Sequence, residues 1–302
     1  MLLISAEVAT AGPWVHEAGS AYGQLTAAWS GASQIFDPEG TPRPQTDPAY
    51  LGYLSPVFSE GRADVAGISA YGELGLGRGL EVAAALPLQA AWTRWAFARG
   101  SSEDIVQRNL GLGDLRTWIR AGRTGGARAA SLGLGASLPL YDNRLEKLNI
   151  EPGNSDFYDD RVPLGAGVIA LEVVGAVGVS LPWAGGWIQE ETAFRGRFQG
   201  YSESVPLRLQ VGFAPRPITG WLAADAEFSL RNGPAPDSFR DAWGKGPLAI
   251  DGQDHLSGEF GGAVAVSESW SAMATLSHTF WGRSFPVASR LAAGVTYQGG
   301  PK

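Results

Sequence analysis

The sequence predicts an all-β protein: a transmembrane, antiparallel, up-and-down β-barrel of about twelve strands, with short periplasmic turns and long extracellular loops. Three observations predict it. Apolar residues alternate with polar or small ones over stretches longer than the usual ~5–6 residues of a globular strand. The connections between these stretches alternate between short and long, as in outer-membrane barrels. Tryptophans collect at the ends of the stretches, where an amphipathic ring sits best at a bilayer surface.

The strands read, in order, 19–29, 63–76, 80–94, 113–122, 127–140, 165–181, 187–198, 204–213, 218–231, 255–266, 270–282 and 287–297. The third is the clearest. Leu80, Val82, Ala84, Leu86, Leu88, Ala90 and Trp92 face one way, while Glu81, Ala83, Ala85, Pro87, Gln89 and Ala91 face the other. In the fifth, Leu132, Leu134, Ala136, Leu138 and Leu140 alternate with Ser131, Gly133, Gly135 and Ser137. In the ninth, Leu222, Ala224, Ala226, Phe228 and Leu230 oppose Asp225, Glu227, Ser229 and Arg231. Residues 164–188 carry one charge, Glu172, and have a transmembrane helix as a rival reading. Their six glycines, Pro182 and β-branched valines favour a strand.

Gly77-Arg78-Gly79, residues 123–126 and 182–186, Pro215-Arg216-Pro217 and Ser267-Glu268-Ser269 read as tight turns. Residues 30–62, 95–112, 141–163 and 232–254 read as long loops, and 199–203 and 283–286 as short members of the same series. Trp183, Trp187, Trp221 and Trp270 then fall at the short-turn rim, and Trp29, Trp92, Trp95 and Trp281 at the long-loop rim. Eight of the 11 tryptophans form two girdles on this reading.

Composition narrows the function classes. The chain has 302 residues and 42 glycines, about twice the usual ~7%, with no collagen period. Its net charge is −7, so no basic surface is offered to nucleic acid. Without cysteine there is no disulfide scaffold, thiolate metal site or thiol catalysis. At the N-terminus, Ala9-Thr10-Ala11 fits a signal-peptidase site. Residues 1–11 are read as the remnant of a signal peptide, against an ordinary flexible terminus, and 12–302 as a single barrel domain.

A set of ordered segments carries a family resemblance. Gly111-Leu112-Gly113-Asp114-Leu115-Arg116 opens one strand; Ser131-Leu132-Gly133-Leu134 and Leu138-Pro139-Leu140 belong to the next. Ile35-Phe36-Asp37-Pro38-Glu39-Gly40 lies in the first long loop and Trp281-Gly282-Arg283 near the end. Together, over residues 20–297, they resemble the bacterial outer-membrane barrel family named for the MetA pathway of phenol degradation. The resemblance implies a channel for small, often aromatic, molecules, inserted by the barrel-assembly machinery. The chain departs from the family pattern in ending Tyr297-Gln298-Gly299-Gly300-Pro301-Lys302 rather than on an aromatic residue. The residues between Gly12 and the first strand are also too few for the N-terminal hatch that plugs fatty-acid transporters.

The inward register carries Glu73, Glu81, Asp114, Glu172, Glu191, Asp225, Glu227 and Glu259 against Arg116, Arg120, Arg195, Arg197, Arg208, Arg231 and Arg290. These fifteen are the candidate lumen-lining residues. Near balance lets them pair as carboxylate–guanidinium contacts; alternatively, some line a path for the polar parts of a solute. The expected function is therefore passive uptake of small hydrophobic or aromatic molecules. The alternatives are a closed structural barrel and a lipid-acting enzyme built on one of His16, His255 and His278. The enzyme reading needs a serine within reach of its histidine, and Leu276 and Phe280 are the same-strand neighbours of His278. Glu151, Asn154, Asp156, Asp159 and Asp160 make an acidic cluster without EF-hand spacing, read as a solvated loop rather than a calcium site. No metal, cofactor or nucleotide site is expected; the glycines from Gly72 to Gly79 lack the Lys-Ser/Thr of a phosphate loop. The expected partners are the outer-membrane bilayer, the assembly machinery and a small solute.

Overall fold

The computed structural model describes residues 12–45, 58–97, 105–123, 125–141, 164, 167–183, 185–198, 200–231, 233–234 and 250–300. Twelve antiparallel strands close into a barrel. They are β1 (Ala21–Phe36), β2 (Phe58–Gly77), β3 (Leu80–Phe97), β4 (Ile105–Leu112 continued by Asp114–Gly122), β5 (Arg128–Pro139) and β6 (Ala170–Ser180). Then follow β7 (Trp187–Arg197), β8 (Ser204–Phe213), β9 (Ile218–Ser229), β10 (Asp254–Ala265), β11 (Trp270–Arg283) and β12 (Pro286–Gly299). Each pairs with its sequence neighbours, and β12 returns to β1 from Ala21↔Gly299 to Ile35↔Pro286. Among the described residues closure pairs each strand on both sides, except for the outer segment Ile105–Leu112, which pairs with β3 alone; a bilayer demands such pairing because lipid cannot hydrogen-bond a bare backbone.

The burial pattern is inverted relative to a soluble domain. Leu25, Ile68, Leu134, Leu171, Leu222, Leu276 and Leu291 are half-exposed, whereas Glu81, Arg120, Glu172 and Asp225 are buried. In water that arrangement would be costly on both faces. Around a lipid-embedded barrel it is the stable one, because the alternating exterior is apolar and the interior is wet. The transmembrane-helix alternative over 164–188 falls here: Ala170–Ser180 is a strand with Leu171, Val173, Val177 and Val179 outward and Glu172, Val174 and Ala176 inward.

The expected strand cores are all present, but at the long-loop end several strands run further than alternation indicates. β1 continues past 29 to Phe36, β2 begins at Phe58 rather than 63, and β4 gains the segment Ile105–Leu112. The cause is physical. Beyond the bilayer the backbone ladder continues, but both faces meet water, so apolar alternation ceases to mark the strand. Within β4 the pairing to β3 slips by one residue at Gly113, whose N–H donates to the Pro87 carbonyl at 2.9 Å. Among the described loop residues, Pro42–Pro44 folds back onto β1, and Gly233–Pro234 pairs with Ile250–Asp251.

Two expectations are corrected. Trp187 and Trp221 do not belong to the rim girdle: parity puts them opposite the outward Ile188 and Leu222, and their rings lie over Gly212 and Gly261 inside the barrel. Trp183, Trp270 and Trp29 do face outward and are about half-exposed. Residues 12–20, ahead of β1, enter the barrel as an extended arm. Pro13 and Val15 are buried, Trp14 bridges to Arg123, and the Val15 N–H donates to the Arg123 carbonyl at 3.0 Å. Glycine makes the berth: a Cβ on Gly178 would lie 2.4 Å from Pro13 and 2.7 Å from the Trp14 ring. The presumptive signal remnant, residues 1–11, lies outside the described residues.

Candidate functional site: the barrel lumen

Strand register builds the lumen wall. Glu172 on β6 stands opposite Arg195 on β7, and Arg208 on β8 stands between Glu191 on β7 and Asp225 on β9. Side chains complete what register begins. Arg195 donates through Nε to Glu172 at 2.5 Å and through a terminal nitrogen to both Glu227 oxygens at 2.9 Å. Arg197 and the Ser204 hydroxyl each donate to Glu227 at 2.6 Å. Arg208 donates to Asp225 at 2.7 and 2.8 Å and to Glu259 at 2.8 Å, and the Trp221 indole also donates to Glu259 at 2.8 Å. Arg116 and the Trp118 indole donate to Glu172 at 3.3 and 3.2 Å. Arg120 lies 3.4 Å from Glu191. The result is a ladder of ion pairs over β4 to β10, in three groups centred on Glu172 and Glu227, on Glu191, and on Arg208, in which nearly every carboxylate meets an arginine.

The opposite wall, from β11 through β12 and β1 to β3, is mostly neutral. Gln24, Thr26, Ser30, Ser69, Gln89 and Thr275 face inward there, with Arg290, Glu73 and Glu81 as its charges. The Tyr22 hydroxyl donates to Gln24, and Tyr71 to Glu73. The lumen therefore has a heavily charged side and a mostly neutral polar side.

The enclosed space is divided. A vestibule of about 820 Å³ at the short-turn end is lined by the arm, Trp187, Trp221, Gln210 and Thr296. Deeper in, a cavity of about 100 Å³ is lined by Tyr71, Arg116, Trp118, Glu172, Arg195 and Glu227. Arg208 borders both, so its layer with Asp225 and Glu259 marks the narrowing.

Of the fifteen candidate lining residues, Arg231 is misplaced by the sequence reading. β9 ends at Ser229, and Arg231 lies beyond it, more than half-exposed, donating to Glu203 at 3.0 Å. Alternation gave the right parity, but not the depth at which the strand stops. Asp114 and Arg290 lie on inward positions of β4 and β12; the others enter the network above or the arm contacts described below. Sequence reasoning missed Tyr71, Trp118, Trp187, Trp221 and Ser204 as lining residues. Parity could have found all five, since each shares the inward face with a residue that was chosen.

With this geometry in hand, solved structures offer a direct comparison. The COG4313 outer membrane channel from Pseudomonas putida F1 superposes with a TM-score of 0.68 at 11% identity, covering 97% of this chain and 100% of that one. The fold is that of an outer-membrane barrel. The translocator domain of the autotransporter NalP from Neisseria meningitidis is more distant, with a TM-score of 0.45 and 10% identity over 93% of this chain and 89% of that one. No protein-family model and no curated protein matches the sequence, so the MetA-pathway resemblance stands on the motifs alone. An apolar exterior, outward rim tryptophans and this fold together place the chain in a bacterial outer membrane.

The remaining candidates separate cleanly. His278 on β11 does have a cross-strand serine: its Nδ1 lies 2.8 Å from the Ser289 hydroxyl on β12. Same-strand parity could not reveal that partner. Its ring otherwise meets Phe280 edge-on at 5.3 Å, so among the described residues no group orients the imidazole as a hydrolytic base requires. His255 is buried and stacks on Phe285 at 4.2 Å. The acidic cluster at Glu151, Asn154, Asp156, Asp159 and Asp160 lies outside the described residues.

Proposed function

We propose that the protein is a passive outer-membrane channel for small solutes, inserted by the barrel-assembly machinery, with a narrow path between its charged and neutral walls. The carrying observation is the lumen itself: a vestibule and a smaller inner cavity that meet at the Arg208 layer. With Arg231 outside, eight carboxylates face six arginines, too near balance for a strong ion-sorting field. Small hydrophobic or aromatic molecules, the class implied by the family resemblance, suit this lining. Tyr71 and Trp118 in the inner cavity, and Trp187 and Trp221 in the vestibule, offer ring faces beside hydrogen-bonding groups.

The test is reconstitution in planar bilayers and liposomes. Small, weakly selective conductance, with swelling in a phenol-sized solute but not in a trisaccharide, is the expected result. Absence of both conductance and swelling would instead favour a closed structural barrel.

A further inference from the structure

The base of the lumen holds a group of side chains that stands apart from the arginine ladder. Glu73 on β2 and Glu81 on β3 are diagonal neighbours across the tight turn at Arg78, because Glu73 pairs with Ala83 and Gly75 with Glu81. The arm lays His16 against both. The His16 imidazole Nε2 is 2.7 Å from Glu73 Oε2, and the His16 backbone N–H donates to Glu81 Oε2 at 2.8 Å. One imidazole nitrogen and one oxygen from each carboxylate lie within 4.8 Å of one another. The Tyr71 hydroxyl donates to the other Glu73 oxygen and holds that carboxylate in place.

A second observation points to a ligand. Glu81 is fully buried, at 0% exposure, and its Oε1 has no hydrogen-bond partner. A buried acceptor left unmatched is expensive, and two carboxylates converging in a protein interior more so. Arg120, opposite Glu81 in register, adds positive charge nearby, but its guanidinium is 3.4 Å from Glu191.

We propose that His16, Glu73 and Glu81 form a binding site for a first-row divalent cation of the zinc class, which fastens the arm to the barrel wall. One imidazole nitrogen and two carboxylate oxygens are a donor set such ions accept, at about 2.0–2.2 Å each, with a fourth position left for water. Ligands around a tetrahedral ion at those lengths stand about 3.4 Å apart. The His16–Glu73 pair therefore needs to open by less than an ångström, and separations in the triad of up to 4.8 Å need to close onto the ion. His16 and Glu73 both border the vestibule, so an ion can arrive from that side. The site joins residues far apart in sequence and needs no transport activity.

The full chain, refolded in detergent and stripped with a chelator, is titrated with Zn²⁺ by calorimetry and with Co²⁺ by visible absorption. One ion per barrel is expected, with Co²⁺ bands of tetrahedral N/O coordination. His16→Ala lies outside the strands and leaves the barrel intact, verified by its unheated gel mobility. It should weaken binding by at least the roughly tenfold that loss of even an outer-shell partner costs; Glu81→Gln should do the same. Absence of stoichiometric binding in the parent would overturn the proposal and mean that Glu81 is held as the neutral acid. Parent-like affinity in folded His16→Ala would overturn it equally.

Discussion

Glu227 accepts from Arg195, Arg197 and Ser204 in the lumen ladder. Glu227→Ala would take from Arg197 its carboxylate and leave Arg195 with Glu172 alone; one-sided removal of a paired charge inside a protein costs on the order of 3 kcal/mol. Urea unfolding followed by tryptophan emission should show that loss, with Glu227→Gln keeping part of the stability through its carbonyl oxygen. Asp37 does comparable work in the first outer loop. It accepts from the Thr41 and Glu39 N–H groups at 2.7 and 3.1 Å and from Arg43 Nε at 2.6 Å. Burial alone would raise its carboxyl, but the Arg43 bond and the two backbone donors outweigh burial and hold it below the usual carboxylate range. Because the folded value is the lower one, its stabilisation is fully present above about pH 3.9, the ordinary Asp value, and fades as pH falls below it. The protection of the Glu39 and Thr41 amides against exchange, relative to their intrinsic rates at each pH, should fall as the carboxylate is protonated. Asp37→Asn should remove the pH dependence.

At the scale of the strand, face assignment is the property most open to attack. Leu134 on β5 and Ala224 on β9 look outward, while Ser229 at the end of β9 looks inward. Leu134→Arg and Ala224→Arg should each cost about 2–4 kcal/mol near mid-bilayer, and Ser229→Arg much less. Ala224→Arg is the cleaner probe because it removes little apolar surface. Equal losses for all three would mean that the faces are reversed or mixed. The arm has its own probe. Gly178→Ala intrudes on Pro13 and Trp14, so the arm should leave its berth and a fraction of the tryptophan emission should shift to the red. Unchanged emission would place the arm elsewhere.

At the scale of the molecule, the closed barrel should resist detergent, migrating faster unheated than boiled. Solubility and monodispersity without detergent would contradict a lipid-facing exterior. The lumen charges should also act collectively. Replacing Arg116, Arg120 and Arg195 with alanine leaves eight inward carboxylates against three arginines, so permeation should turn toward cations and conductance should rise. Reversal potentials under a salt gradient measure the shift. Unchanged selectivity in a folded triple variant would show that these arginines do not line the path.

Much of this architecture was legible in the chain, because a β-strand in a bilayer obeys one rule along its length. Side chains alternate with period two, and each face meets a single solvent, lipid or lumen. That rule yields twelve strands, the short and long connections and the inward face of Glu81, Glu172 and Asp225. It fails where the solvent stops differing between faces, which is why the outer ends of β1, β2 and β4 and the depth of Arg231 were misjudged. Tertiary structure alone decided the partners. Which arginine reaches Glu172 or Glu227, which glycine an inward tryptophan ring covers, and where His278 finds Ser289 depend on neighbouring strands and their stagger. Closure also decided the fate of residues 12–20. Nothing in their composition marks them for the interior; the opening beside Gly178 and the carboxylates of Glu73 and Glu81 exist only once the barrel has formed.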